Sequence, residues 1–222
     1  MIVSQRKQFV FVHIYKTGGT SVKRVLRRHA MPFWQEIGNS ALKRLGVPQF
    51  GPENPIPDGN RDHLTASQLI RHGGFEQWNR MFSFAFVRNP WDWELSHYRH
   101  ICRQKSHKHH DTVSQFGFSD FLRWRSDGRF KLQQSFITHN GEIAVDFVGR
   151  FENLASDFGY VCQRIGIRAS RLPRLNAAPT DDFRAHYCDR DVQTVASMYR
   201  DDIVRFGYAF DPIKTNATCC TG

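Results

Sequence analysis

The tightest constraint on the fold is residues 9–21, FVFVHIYKTGGTS, where an apolar run breaks into a lysine, two glycines and the hydroxyl residues Thr17, Thr20 and Ser21. Apolar residues without polar alternation mark a strand buried on both faces, so residues 9–14 read as a buried strand. Residues 20–30 read as the helix after it, with Val22, Val25 and Leu26 on one face and Lys23, Arg24, Arg27 and Arg28 largely on the other. Strand, glycine-rich turn and helix start together form an anion site, because backbone N–H groups and the positive end of the helix dipole converge there. The GxxxxGK[ST] phosphate loop places its lysine after the glycines, whereas here Lys16 precedes Gly18 and Gly19. The segment therefore asks for a phosphate without asking for ATP or GTP.

The same unit recurs downstream. Residues 81–87, MFSFAFV, repeat the buried-strand pattern and lead into RNPWDWELSHYRH, where Pro90 suits the first turn of a helix. Thr65 followed by Gln68 is a capping-box pattern, which starts a helix just after RDHL and sets His63 on its N-terminal side. A helix is expected from Ser119, a strand over 144–148, a helix over 154–165 stopped by Gly166, and one terminal helix within 190–208. Strands alternating with helices argue for an α/β fold with a mainly parallel central sheet. Residues 46–60 carry four prolines and three glycines and read as a surface loop, either a lid or a connector. Residues 213–222 read as a flexible tail.

At 222 residues the chain is expected to form a single domain over 1–222. Its five cysteines form an odd set with no CxxC pair, which argues against a disulfide framework and for a reduced, cytoplasmic setting. No signal-peptide pattern and no apolar run of membrane-spanning length is read in it. The formal charge of +10 favours a polyanionic partner without choosing among nucleic acid, glycan and phosphate-rich ligand.

Ligands of open α/β sheets sit beyond the carboxyl ends of the strands. Lys16 and Arg88 each follow a strand, so neighbouring parallel strands would bring both cations to one rim, with Ser96 about two helical turns beyond Arg88. HIYKTGGTS and FAFVRNPWDWELSHY resemble the two signature segments of the sulfotransferase superfamily that uses 3′-phosphoadenosine-5′-phosphosulfate (PAPS), in particular its carbohydrate-acting and bacterial branch. VGRFENLASDFGYVCQRIGI and LPRLN are similar to the C-terminal half of that branch. The chain departs from the family pattern at Tyr15, where proline is usual, and at Trp93, where a basic residue is common.

The resemblance implies a P-loop-like, three-layer α/β fold, PAPS as donor and no metal. It assigns Lys16, Thr17, Gly18, Gly19, Thr20 and Ser21 to the 5′ end of the donor, and Arg88 and Ser96 to its 3′-phosphate. Lys16 is then the electrophile that meets charge growing on the leaving phosphate. RDHLTA is similar to the segment in which some carbohydrate sulfotransferases carry a catalytic histidine, which makes His63 the first choice of base, with Asp62 and His13 as alternatives. The acceptor is expected to be a hydroxyl of a carbohydrate or glycolipid, anionic glycans and glycolipids included, with no nucleic acid as partner. The histidine-rich stretch 97–110 has no standard zinc spacing and reads as a basic steering surface. Arg171 and Arg174 are further candidates for holding the nucleotide, and RFENL reads as architectural. The rival readings are a P-loop-type kinase, which would want a carboxylate for Mg²⁺ after FAFV, and a non-catalytic nucleic-acid binder, for which no binding module is visible.

Overall fold

The computed structural model describes residues 1–30, 63–73, 75–168, 172 and 181–211. In chain order these form β1 (Ile2–Ser4), β2 (Phe9–Phe11), α1 (Gly19–Ala30), α2 (Ala66–Gly73), α3 (Phe75–Asn79), β3 (Phe82–Val87), α4 (Pro90–Arg103), α5 (His110–Val113), α6 (Phe118–Ser126), α7 (Gln134–Ile137), β4 (Thr138–His139), β5 (Glu142–Ile143), β6 (Phe147–Arg150), α8 (Leu154–Arg164), α9 (Asp189–Met198) and α10 (Arg200–Phe206). The chain divides into two compact units, Met1–Arg88 with Lys131–Thr180, and Asn89–Phe130 with Asp181–Gly222.

The first unit is built on a sheet of order β1-β2-β3-β6, in which β2, β3 and β6 run parallel and β1 adds antiparallel to β2. Its strands are short and phenylalanine-rich because both faces are covered. Phe9, Phe11, Phe84 and Phe86 pack with Val22, Val25 and Leu26 of α1 and with Phe158, Val161, Cys162 and Ile165 of α8. The alternate residues Val10, Ser83, Ala85 and Val87 are buried as well. Stacked ring pairs run across the strands, Phe11–Phe84 at 5.2 Å, and along β3, Phe82–Phe84 at 5.7 Å. Each such ring removed from water contributes roughly 1.5–3 kcal/mol.

Two expected elements differ in place. The strand expected over 144–148 is Phe147–Arg150, because the residues before it are used otherwise. Glu142–Ile143 pairs with Thr138–His139 in a hairpin whose turn, Asn140 and Gly141, has φ of 51° and 86°. Asn-Gly is the dipeptide that such a turn favours. The Asp146 carboxylate then accepts from Ser83 N–H and Oγ, both at 2.7 Å, which fastens the chain at the entry to β6. The strand begun at Phe9 ends as a ladder at Phe11, although Val12 N–H still reaches the Phe84 carbonyl at 2.9 Å and Val12 and Ile14 are fully buried.

In the second unit, Pro90 opens α4 as expected, and Asn89 caps it by accepting from Trp91 N–H at 3.1 Å. The fully buried Glu94 carboxylate receives Arg125 Nε at 3.1 Å, Arg125 Nη2 at 2.8 Å and the Tyr199 hydroxyl. The single terminal helix expected from the sequence is two, α9 and α10, broken at Tyr199. That residue is drawn into the interior by Glu94 and by edge contacts with Trp93 and Phe130 at 5.6 and 5.3 Å. Trp93 is thereby a core residue of this unit. Arg99, expected on a steering surface, is bound to the Asp181 carboxylate through both Nη atoms at 3.1 and 2.7 Å. That contact, followed by His186, holds the Asp181 carboxyl well below the usual carboxylate range.

Candidate active site

The turn after β2 is tied together from within. Thr17 is buried and its hydroxyl donates to the Ile14 carbonyl at 2.8 Å. Lys16 and Gly18 both take left-handed backbone conformations, with φ of 63° and 78°. Such a conformation costs a residue with a side chain roughly 1–2 kcal/mol, and Lys16 adopts it nonetheless. The Gly18 carbonyl accepts from Ser21 N–H at 3.0 Å and Val22 N–H at 3.3 Å, which starts α1 at Gly19 with its positive end at the turn. Thr20 is exposed and Ser21 buried at this helix start.

The two glycines are required for different reasons. A Cβ on Gly18 would lie 2.6 Å from Leu154 Cδ2, and its positive φ disfavours a side chain in any case. A Cβ on Gly19, whose backbone is ordinary helix, would lie 1.9 Å from Cδ2 and 2.0 Å from Nε2 of His13. Both glycines are therefore required by the packing of Leu154, Phe151 and His13 against the turn.

Around this turn the first unit gathers three further groups. Arg88, just past β3 and buried, donates from Nη1 to the Lys16 carbonyl at 3.0 Å. His13, at the end of the buried run, sets its ring 4.6 Å from that of His63 and tilted by 37°. His63 Nδ1 lies 3.0 Å from the His13 carbonyl oxygen. A carbonyl can only accept, so Nδ1 carries the proton and Nε2 of the neutral ring is left as the proton acceptor. Tyr15, the departure from the family's proline, sets its ring edge-on to His63 at 6.0 Å and to Phe136 at 5.8 Å. The expected capping box starts α2 behind His63, with Thr65 N–H donating to Gln68 Oε1 at 2.9 Å and Gln68 N–H to Thr65 Oγ1 at 3.2 Å.

Lys16, Arg88, His63 and His13 are thus brought together at one rim of the sheet. Ser96 is buried on α4 and belongs to the second unit. Asp62, Arg171, Arg174, the 46–60 loop and the 213–222 tail lie outside the described residues. In the histidine-rich stretch, rings of His97, His100 and His109 lie 6.4, 6.0 and 5.7 Å from that of His107. Among the described residues no group of three or more His, Cys, Asp or Glu side chains is arranged to hold a metal ion. Sequence reasoning missed Phe151, set in RFENL, whose ring lies 4.0 Å beneath the Arg88 guanidinium. It also missed Gln133, for which no local pattern gave a signal.

A sequence model of the sulfotransferase family matches residues 1–209. The chain belongs to the sulfotransferase family. The kinase and nucleic-acid-binding alternatives give way, and with the family come the reaction class, sulfuryl transfer, and the donor, PAPS. An uncharacterized protein of Archaeoglobus fulgidus is 31% identical over 103 residues, 46% of this chain and 81% of that protein. Among solved structures, mouse sulfotransferase SULT7A1 complexed with PAP superposes with a TM-score of 0.51 at 13% identity, over 90% of this chain and 85% of that one. The sulfotransferase of Alicyclobacillus acidocaldarius has a TM-score of 0.35 at 17% identity, over 89% of this chain and 97% of that one. The fold is accordingly the P-loop-like α/β fold with a mainly parallel central sheet.

Proposed function

We propose that this sulfotransferase acts as a single domain over 1–222, uses Lys16 as electrophile and His63 as base, and sulfates a hydroxyl of a carbohydrate or glycolipid. The observation that supports the site assignment is the bond from Arg88 to the Lys16 carbonyl, which ties the guanidinium after β3 to the turn after β2 that carries Lys16. When bound, PAPS supplies an electrophilic sulfur with a phosphate as its leaving group. The main chain of Lys16, Thr17, Gly18 and Gly19, with Thr20 and Ser21 at the start of α1, receives the 5′ phosphosulfate end. Arg88 and, by its sequence spacing, Ser96 take the 3′-phosphate, for which charge-assisted hydrogen bonds are the strongest available contacts. Lys16 offsets negative charge that is larger in the transition state than in the ground state. His63 accepts the acceptor's hydroxyl proton at Nε2 while Nδ1–H stays on the His13 carbonyl, which supports it over His13 itself.

The carbohydrate or glycolipid acceptor rests on the similarity of HIYKTGGTS and RDHLTA to the carbohydrate-acting branch. A reduced, cytoplasmic setting is supported by the free thiols of Cys102 and Cys188. No helix among the described residues is long and apolar enough to cross a membrane. The site assignment is tested by thermal shift with adenosine 3′,5′-bisphosphate against AMP. The bisphosphate should stabilise the protein markedly more, and Arg88→Ala should bring the two together. Equal shifts in the wild type would remove the 3′-phosphate assignment. Transfer of labelled sulfate to a panel of glycans, glycolipids and phenols tests the acceptor class.

A further inference from the structure

Arg88 is held at more points than anion binding requires. Its main-chain N–H donates to Gln133 Oε1 at 2.9 Å and its carbonyl accepts from Gln133 Nε2 at 2.8 Å. One fully buried carboxamide therefore does for this residue what a neighbouring strand would do. Ladder pairing of Val87 with Arg150 brings the next residues, Arg88 and Phe151, side by side. The guanidinium lies over the Phe151 ring at 4.0 Å, a cation–π distance. The same ring reaches the other loop, since a Cβ on Gly18 would be 3.3 Å from its Cδ2 and Cε2. From this seat Nη1 reaches the Lys16 carbonyl at 3.0 Å, where the lysine backbone is left-handed.

We propose that Gln133 and Phe151 are positioning residues that hold Arg88 as a strut between the two phosphate loops, so that engagement of the donor's 3′-phosphate and the poise of Lys16 are coupled. The proposal rests on the reading of Arg88 as the 3′-phosphate ligand and Lys16 as the electrophile. An arginine free to swing could bind a phosphate equally well in isolation, but it would not keep a lysine in a conformation that lysine disfavours. The hydrogen bond to the Lys16 carbonyl is charge-assisted, and the seat on the ring and the backbone bonds to the carboxamide favour the arginine position that makes it.

Gln133→Met and Phe151→Leu keep most of the side-chain volume and remove, respectively, the carboxamide and the π face. Three readouts are compared with wild type: the affinities for adenosine 3′,5′-bisphosphate and AMP, release of the bisphosphate from PAPS with water as acceptor, and the melting temperature. Each variant should weaken bisphosphate binding by about three- to thirty-fold, leave AMP within about two-fold, and lower kcat at saturating donor by about ten-fold. Phe151→Tyr, which keeps the ring, should restore wild-type values. A lower melting temperature with unchanged discrimination and kcat would make both residues purely structural and overturn the proposal. Arg88→Ala serves as control. If it loses discrimination while neither Gln133→Met nor Phe151→Leu does, the strut alone fails; if it keeps discrimination, the phosphate assignment fails first and takes the strut with it. Should Gln133→Met not fold, the partly exposed Phe151 carries the test by itself.

Discussion

Gly19→Ala separates two opposing effects. Alanine is favoured over glycine inside a helix by about 0.8–1 kcal/mol, and Gly19 opens α1 with a φ that alanine adopts freely. Against that stands a Cβ placed 1.9 Å from Cδ2 and 2.0 Å from Nε2 of His13. Restoring ordinary van der Waals contact requires the imidazole to retreat by about 1.5 Å. It has little room to do so, because His13 is 7% exposed, with Phe11 at 5.8 Å and His63 at 4.6 Å between ring centroids. Overpacking of this kind costs about 1–3 kcal/mol or more, which outweighs the helix gain. The expected result is a net loss of up to about 2 kcal/mol, or a fall of up to roughly 8 °C in melting temperature for a chain of this size. The decisive measurement is the same substitution in a His13→Ala background, by thermal or urea unfolding. With the ring gone the sign should reverse, and Gly19→Ala should be neutral or stabilising by up to about 1 kcal/mol. Equal destabilisation in both backgrounds would refute the argument that His13 is the reason for the glycine. Gly18→Ala supplies the contrast, since its φ of 78° keeps it unfavourable even when Leu154 is trimmed to alanine.

Lys16→Ala should lower kcat by about two to three orders of magnitude and weaken donor binding less, and a change confined to KM would recast the lysine as a binding residue. His63→Ala should keep affinity for adenosine 3′,5′-bisphosphate and lose roughly 10²- to 10⁴-fold in turnover, with the acidic limb of the pH–rate profile disappearing from what remains. His107 and His109 both titrate below the usual value of 6.5, first through burial, then through the neighbouring charges of His109, Lys108 and His110 on His107, and of Lys108, Arg125 and Arg129 on His109. As pH falls below about 6.5 the unfolded chain takes up these protons before the folded one, so stability present above that value is lost on the acid side. Replacing both by glutamine should flatten the fall of the melting temperature below about pH 6.5, and an unaltered slope would assign the acid loss to other groups.

Local chemistry alone determined the order of strand, glycine turn and helix, the proline start of α4 and the capping box before α2. These depend on neighbours within one helical turn or one strand, where backbone sterics and hydrogen-bonding capacity act directly. The rim on which Lys16 and Arg88 meet was legible too, because parallel strands send their following loops to the same edge. Only the tertiary structure decided why Gly19 has no side chain, since the obstacle is a ring six residues away that returns across the loop. It also decided which His63 nitrogen faces a carbonyl, one that approaches from fifty residues back along the chain. The break at Tyr199 answers to a carboxylate 105 residues distant, and Arg88 is anchored by a glutamine 45 residues away. None of these partners leaves a periodic trace in the sequence, because each is a single pair whose energy is realised only once the core of its own unit has closed around it.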